Sequence, residues 1–189
     1  MKEMSVYKIF DAMYKHAITD EKLMRYLFYA AKHKDDDVTL VTSDRPNIIG
    51  GLNNQIYNNG INGENVTSFD IINQVVKMRK RNEKDLTADD PQCVLYFYLD
   101  NFENATSGTN NAIDPYSFLQ LVNIDAYVHE DFQNTGFTLA KVVDRVIALF
   151  NQQHVGGIGN VNFAGSGKLD DVEGYEGMQI KFRNRYTTR

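Results

Sequence analysis

His129-Glu130-Asp131, with Asp125 four residues earlier, is the stretch whose residue types come nearest to chemistry. Imidazole and carboxylate groups ligate divalent metals and can divide the acid and base roles of a hydrolase. The spacing opposes both uses. Consecutive strand residues point to opposite faces, so three in a row do not converge on one ion. Asp125 and His129 share a face, but four residues of extended chain separate them by roughly 13 Å, too far for a coupled pair. None of the four histidines has another at a helical i, i+4 spacing.

Gly156-Gly157-Ile158-Gly159 has the glycine density of a phosphate-cradling loop. It follows a helical pattern and precedes a strand pattern, the reverse of a phosphate loop, and it lacks the lysine and hydroxyl pair. It reads as a helix stop. Cys93, the single cysteine, has no histidine near it and opens a predicted strand, so it reads as buried filler. Lys77, Arg79, Lys80, Arg81 and Lys84 form the most basic patch, and Glu83, Asp85, Asp89 and Asp90 sit among and after them. That pattern reads as a solvated helix end. No catalytic, cofactor-binding or metal-binding residue is expected, and no enzyme. The alternative from another class is a small metal-dependent hydrolase built on Asp125, His129 and Asp131.

The elements that position these residues centre on Phe118 to Phe150. Val122, Ile124, Ala126 and Val128 alternate with Asn123, Asp125, Tyr127 and His129, as a strand with one buried face requires. Leu139, Val142, Val143, Val146, Ile147 and Phe150 then fall on one helical stripe. Earlier, Val6, Ile9, Phe10, Met13 and Tyr14 predict an amphipathic helix. Thr19 or Asp20 caps a second helix, with Leu23, Met24 and Leu27 facing inward. Residues 42–65 are rich in glycine and asparagine and read as turns, part of a loop-rich excursion at about 42–90. Ser68 caps a predicted helix running to about Arg81. Val94 to Leu99 is an aromatic strand, apolar on both faces, which suits a central place in a sheet. Asn101 to Pro115 reads as an exposed connection, and Gly165-Ser166-Gly167 as the break after a short strand at Val161 and Phe163. Gly174 to Gly177 forms a turn. Met178, Ile180 and Phe182 alternate in a last strand.

At 189 residues, with 42% apolar and 24% charged side chains, one soluble domain is expected. No apolar run approaches the length of about 20 residues that crosses a bilayer. The net charge of −5 opposes long-range attraction of nucleic acid. Eleven tyrosines offer broad contact area with polar tips, which suits protein interfaces.

Four blocks carry a resemblance: Ile18 to Tyr29, Asn123 to Val128, Asp144 to Phe150, and Gly174 to Ile180. In this order the chain resembles the neck proteins of tailed bacteriophages, and most closely the tail terminator (tail-completion) group. The resemblance implies an α/β (α+β) fold with a mixed or mainly antiparallel sheet, an amphipathic helix on one face and an N-terminal helical pair. It implies a virion protein of the neck or tail, made in the host cytoplasm, that forms a homo-oligomeric ring, a hexamer in such families. The ring would end the tail tube and join it to the head connector, or serve as another neck component such as a head-completion or adaptor protein. Its partners would be its own copies, the tube protein and the connector proteins, with DNA passing the lumen unbound and no membrane involved. Asp125, Tyr127, His129, Asp170, Asp171 and Tyr175 are the candidate subunit and tube contacts, with the sheet edge and the loops at 101–115 and 168–175. Val146→Asp or Ile147→Asp would bury an unpaired charge and is expected to abolish folding. Asp125→Ala and His129→Ala are expected to leave the fold and weaken assembly. Equal loss of structure in chemical unfolding would show that the faces are misassigned.

Overall fold

The alternation at 122–128 belongs to a strand longer than the pattern itself. In the computed structural model β5 runs Ala112–His129, between β4 (Cys93–Ser107) and β8 (Tyr175–Thr187), and antiparallel to both. The structure describes residues 6–29, 37–49, 56–59, 64–107, 112–133, 137–154, 160–170 and 172–187. β3 (Val76–Lys77), β6 (Gln153–His154) and β7 (Asn160–Lys168) complete a six-stranded sheet of order β3-β4-β5-β8-β7-β6. The β3–β4 pair is parallel and the others are antiparallel, so the sheet is mixed and the fold is α+β. β1 (Ile56–Asn59) and β2 (Glu64–Thr67) form a separate antiparallel pair.

Four helices, α1 (Val6–Ile18), α2 (Glu21–Phe28), α3 (Ser68–Val75) and α4 (Thr138–Phe150), lie on one face of the sheet. Ile9, Met13, Leu23, Met24, Leu27, Val142 and Val146 meet Leu95, Phe97, Ile124, Ala126 and Ile180 there, all buried. The Phe150 ring stands edge-on to Phe97 and Phe182, at 6.5 and 5.6 Å between centroids, which is the favoured geometry for aromatic pairs. Asp20 caps α2 by accepting from Leu23 N at 2.7 Å, and its carboxylate also pairs with Arg145 of α4.

Several sequence expectations change. α3 ends at Val75 instead of Arg81, because Val76 turns extended, pairs with Leu95 and buries itself. Its cap is Thr67, in a reciprocal box with Asp70, while the Ser68 hydroxyl donates to Ile48 O. The connection expected at 101–115 is mostly strand, since β4 and β5 stay paired out to Ser107 and Ala112. Gly165-Ser166-Gly167 lies inside β7, where the register shifts between Phe163 and Gly165. That is a bulge and not a break. α4 stops at Phe150 and is followed by Gln152 at φ 61°, so a glutamine takes the left-handed position; Gly156 to Gly159 lie outside the described residues.

Arg25 is an unexpected core residue. It is 1% exposed on α2, and its guanidinium donates to the carbonyl oxygens of Val38, Leu40, Arg45 and Pro46. Glu21, one turn back and 3.5 Å away, supplies the nearest counter-charge and accepts from Ile48 N and Ile49 N at 2.8 and 2.7 Å. One α2 turn therefore fastens the segment 38–49, which has no regular structure of its own. Arg25→Met keeps the apolar stem and removes the donors. It is expected to destabilise the fold by on the order of 3 kcal/mol, read as a lower urea midpoint at an unchanged slope. An unchanged midpoint would mean that the segment holds itself.

Candidate functional site

The second face of the sheet carries the contact candidates Asp125, Tyr127, His129 and Tyr175, with Asp170 in the turn beside it, while Cys93 points into the helix-side core. Asn123, Asp125, Tyr127 and His129 alternate with the core residues of β5, as expected, but they are 2, 3, 4 and 5% exposed. This face is covered and not open to solvent. The cover is residues 79–92, a strap without regular structure that crosses the sheet. Leu86 from the strap is buried with Val94, Tyr96, Tyr127 and Tyr175.

Cations fasten the strap to aromatic rings. Arg79 lies 5.8 Å from the Tyr96 ring centre, Lys80 5.8 Å from Tyr98 and Arg81 5.3 Å from Tyr127. Such contacts join an ammonium or guanidinium to the negative face of a ring. Arg79 also pairs with Asp85 within the strap, and Arg81 Nε donates to the Tyr127 hydroxyl at 3.2 Å. The Tyr175 hydroxyl donates to Asp90 O at 2.5 Å. The basic patch expected on a solvated helix end therefore holds a layer onto the sheet, because α3 stops before reaching it.

Asp125 sits at the centre. The Tyr98 hydroxyl donates to both its oxygens, at 3.1 and 3.0 Å. Gln179 Nε2, from the residue opposite on β8, donates to Asp125 Oδ1 at 3.1 Å and to the Tyr98 oxygen at 2.7 Å. Burial still wins, and the Asp125 carboxyl is held above its ordinary value despite these donors and the nearby Lys80 and Arg81. Burial likewise raises the phenols of Tyr96, Tyr98 and Tyr127, and pushes Tyr175 up to about 12.

His129 is built into the scaffold. Its Nδ1 accepts from Asp131 N at 3.2 Å, and its Nε2 faces Ala88 O at 3.1 Å, so the ring proton belongs on Nε2. Asp131 Oδ2 comes to 3.6 Å from His129 Nδ1, but Asp125 does not join them, and among the described residues no group of three histidine, cysteine, aspartate or glutamate side chains could hold a metal. Cys93 is fully buried and its thiol is pushed up to about 12 by burial, far from the thiolate a nucleophile needs. Asp170 is exposed on the β7–β8 turn, Tyr175 is buried beneath the strap, and Asp171 lies outside the described residues. Tyr98 and Gln179 were not singled out from sequence. The signal for a cover was the aromatic strand 94–99, apolar on both faces, which requires a second layer.

Residues 20–184 match the model of the YomW family. The chain belongs to the YomW family. It is a phage protein family, named from an SPbeta-like prophage genome. No curated protein matches the chain. One similar solved structure, designated by an identifier without a functional name, shares 14% identity over 61% of this chain and 79% of its own, at a TM-score of 0.37. A likeness that distant carries no argument. No helix among the described residues of this YomW chain is long and apolar enough to cross a membrane.

Because the Asp125 carboxyl is raised, the folded state holds its proton more tightly than the unfolded chain does. Its contribution is therefore best below the ordinary value of 3.8 and falls as pH rises from there through the folded value. Asp125→Asn retains an acceptor for Tyr98 and Gln179 and removes the charge. It is expected to flatten that fall in urea titrations across the acidic range and to be neutral or stabilising at pH 7. A loss of stability at pH 7 as large as that of Asp125→Ala would show that the charge itself is required.

Proposed function

We propose that this YomW protein is a virion structural protein of a tailed phage, forming a homo-oligomeric ring at the head–tail junction that ends the tail tube and joins it to the head connector. Membership of a phage protein family supports the setting. The observation that carries the assembly reading is the outer edge of β4. β3 pairs only with Leu95 and Tyr96, so from Phe97 to Ser107 the edge has no strand partner among the described residues. A long unpaired edge offers backbone donors and acceptors to another chain. In a ring of copies, a heterologous contact of this kind closes on itself and leaves no edge free. The work done is assembly and not catalysis, and the resident cofactors are none.

The contacts differ from those expected on sequence. Asp125, Tyr127, His129 and Tyr175 act through the strap they hold, while Asp170 and the β4 edge meet the neighbour directly. Light scattering on the purified chain is expected to give the mass of a closed ring. Added to polymerising tube protein, the chain is expected to shorten the tubes. A strict monomer at high concentration that leaves tube length unchanged would overturn the proposal. Rings that bind a connector but leave the tubes unaltered would instead favour a head-completion or adaptor role.

A further inference from the structure

Both outer strands of the long ladders in the sheet are covered at one end and bare at the other. β3 lies against Leu95 and Tyr96 of β4, and β6 lies against Asn160 and Val161 of β7. Among the described residues, 102–107 of β4 and 165–167 of β7 have no strand on their outer side. Bare strand backbone is a template for pairing with another chain.

The registers fix where the two covers sit. Tyr96, Asp125, Gln179 and Gly167 stand in one row across the sheet, with Lys77 of β3 beside Tyr96. Phe102, Gln120, Asn184 and Val161 stand in another row, with Gln153 of β6 beside Val161. β3 is therefore level with the bare part of β7, and β6 with the bare part of β4. Each edge has a step where the other has a notch. Directions agree as well. β3 runs parallel to β4 and so opposite to β7, since three antiparallel pairings separate β4 from β7.

Apolar side chains flank the same edge. Met78, directly after β3, is 46% exposed, and Phe69 of α3, the helix that leads into β3, is 69% exposed. Turning a copy about an axis along the strands keeps both level and direction, so step meets notch all round a ring. A twofold axis would instead pair like edges and leave the other edge of each copy bare.

We propose that β3 of one copy adds as an antiparallel strand to residues 165–167 of β7 in the next copy, with Lys77 opposite Gly167. In the same seam, β6 of that next copy lies along residues 102–107 of the first copy's β4. Glycine at 165 and 167 suits the β7 side, because it leaves Ser166 as the one side chain on that stretch of edge. The inference rests on the ring reading and names the two edges that meet in it.

Disulfide cross-linking of the full chain tests the contact, because one copy cannot form the bond by itself. Lys77 and Gly167 stand four strand spacings apart within a copy, roughly 19 Å, whereas a disulfide needs Cα atoms within about 7 Å. The native cysteine, Cys93, is buried. A Cβ at Gly167 would meet nothing within 4 Å, so cysteine fits there. Co-expressed in equal amounts and mildly oxidised, Lys77→Cys and Gly167→Cys are expected to form covalent pairs, and neither variant alone is. A chain carrying both substitutions is expected to give a ladder of bands that ends at the mass of the ring. Met78→Asp is expected to unfold at the wild-type urea concentration and to associate about tenfold or more weakly. Wild-type assembly with no cross-link between the co-expressed variants, and with Met78→Asp assembling normally, would overturn this contact and leave the ring reading standing. Cross-links within either variant alone would overturn it in favour of like edges pairing. A wild type that stays monomeric in light scattering would overturn the ring reading and this contact together.

Discussion

From Val122 to His129, β5 is buried on both faces, and the rest of the chain is arranged to satisfy that condition. A strand exposed on one side can tolerate a polar face in water, whereas one enclosed on both loses water as a partner for the polar groups it carries. The helical layer meets this demand with hydrocarbon at Val122, Ile124, Ala126 and Val128. The second face meets it with polar pairing, through Tyr98 of β4 and Gln179 of β8 on Asp125, Asp100 of β4 on Asn123, and Ala88 of the strap on His129. From Val122 to Val128 the helical layer is hydrocarbon, and the strap is fastened by charge on aromatic rings. Their different chemistry makes the strap the layer more open to adjustment by salt and by neighbouring chains.

Elements with a clean period were legible in the sequence. The stripe of α4, the capping role of Asp20 and the alternation of β5 all follow from local spacing, and each stands where the spacing puts it. Elements decided by distant partners were not legible. Val76 leaves the helix because Leu95 offers a strand to pair with, and nothing within several residues of Val76 records that. Gly165 and Gly167 look like a terminator by composition, yet the ladder with β8 carries them through. The polar face of β5 had the composition of a solvent face; the strand 94–99, apolar on both faces, called for a second layer, and the position of residues 79–92 shows what forms it. Arg25 was equally hidden, since a cation on an amphipathic helix gives no local sign that it points inward.

The candidate site was legible in its members and not in its use. Asp125, Tyr127 and His129 do share a face with Tyr175 close by, as the alternation required. What each contributes depends on groups from β4, β8 and the strap, far away in the chain. Family membership places the protein among phage proteins, and the sheet adds a strand edge that has no strand partner among the described residues along most of its length. These facts come from independent sources and bear on the same question, how copies of the chain meet.

Arg25 grips its loop through carbonyl oxygens alone, and that has a consequence for how the protein can diverge. Every residue type presents a carbonyl, so the clamp does not depend on which side chains stand at positions 38, 40, 45 and 46. Leu40 and Val41, 58 and 60% exposed, ride on that mount. A lineage can therefore exchange the side chains it displays there, and with them its preferred partner, while the buried arginine and the path of the backbone stay constant.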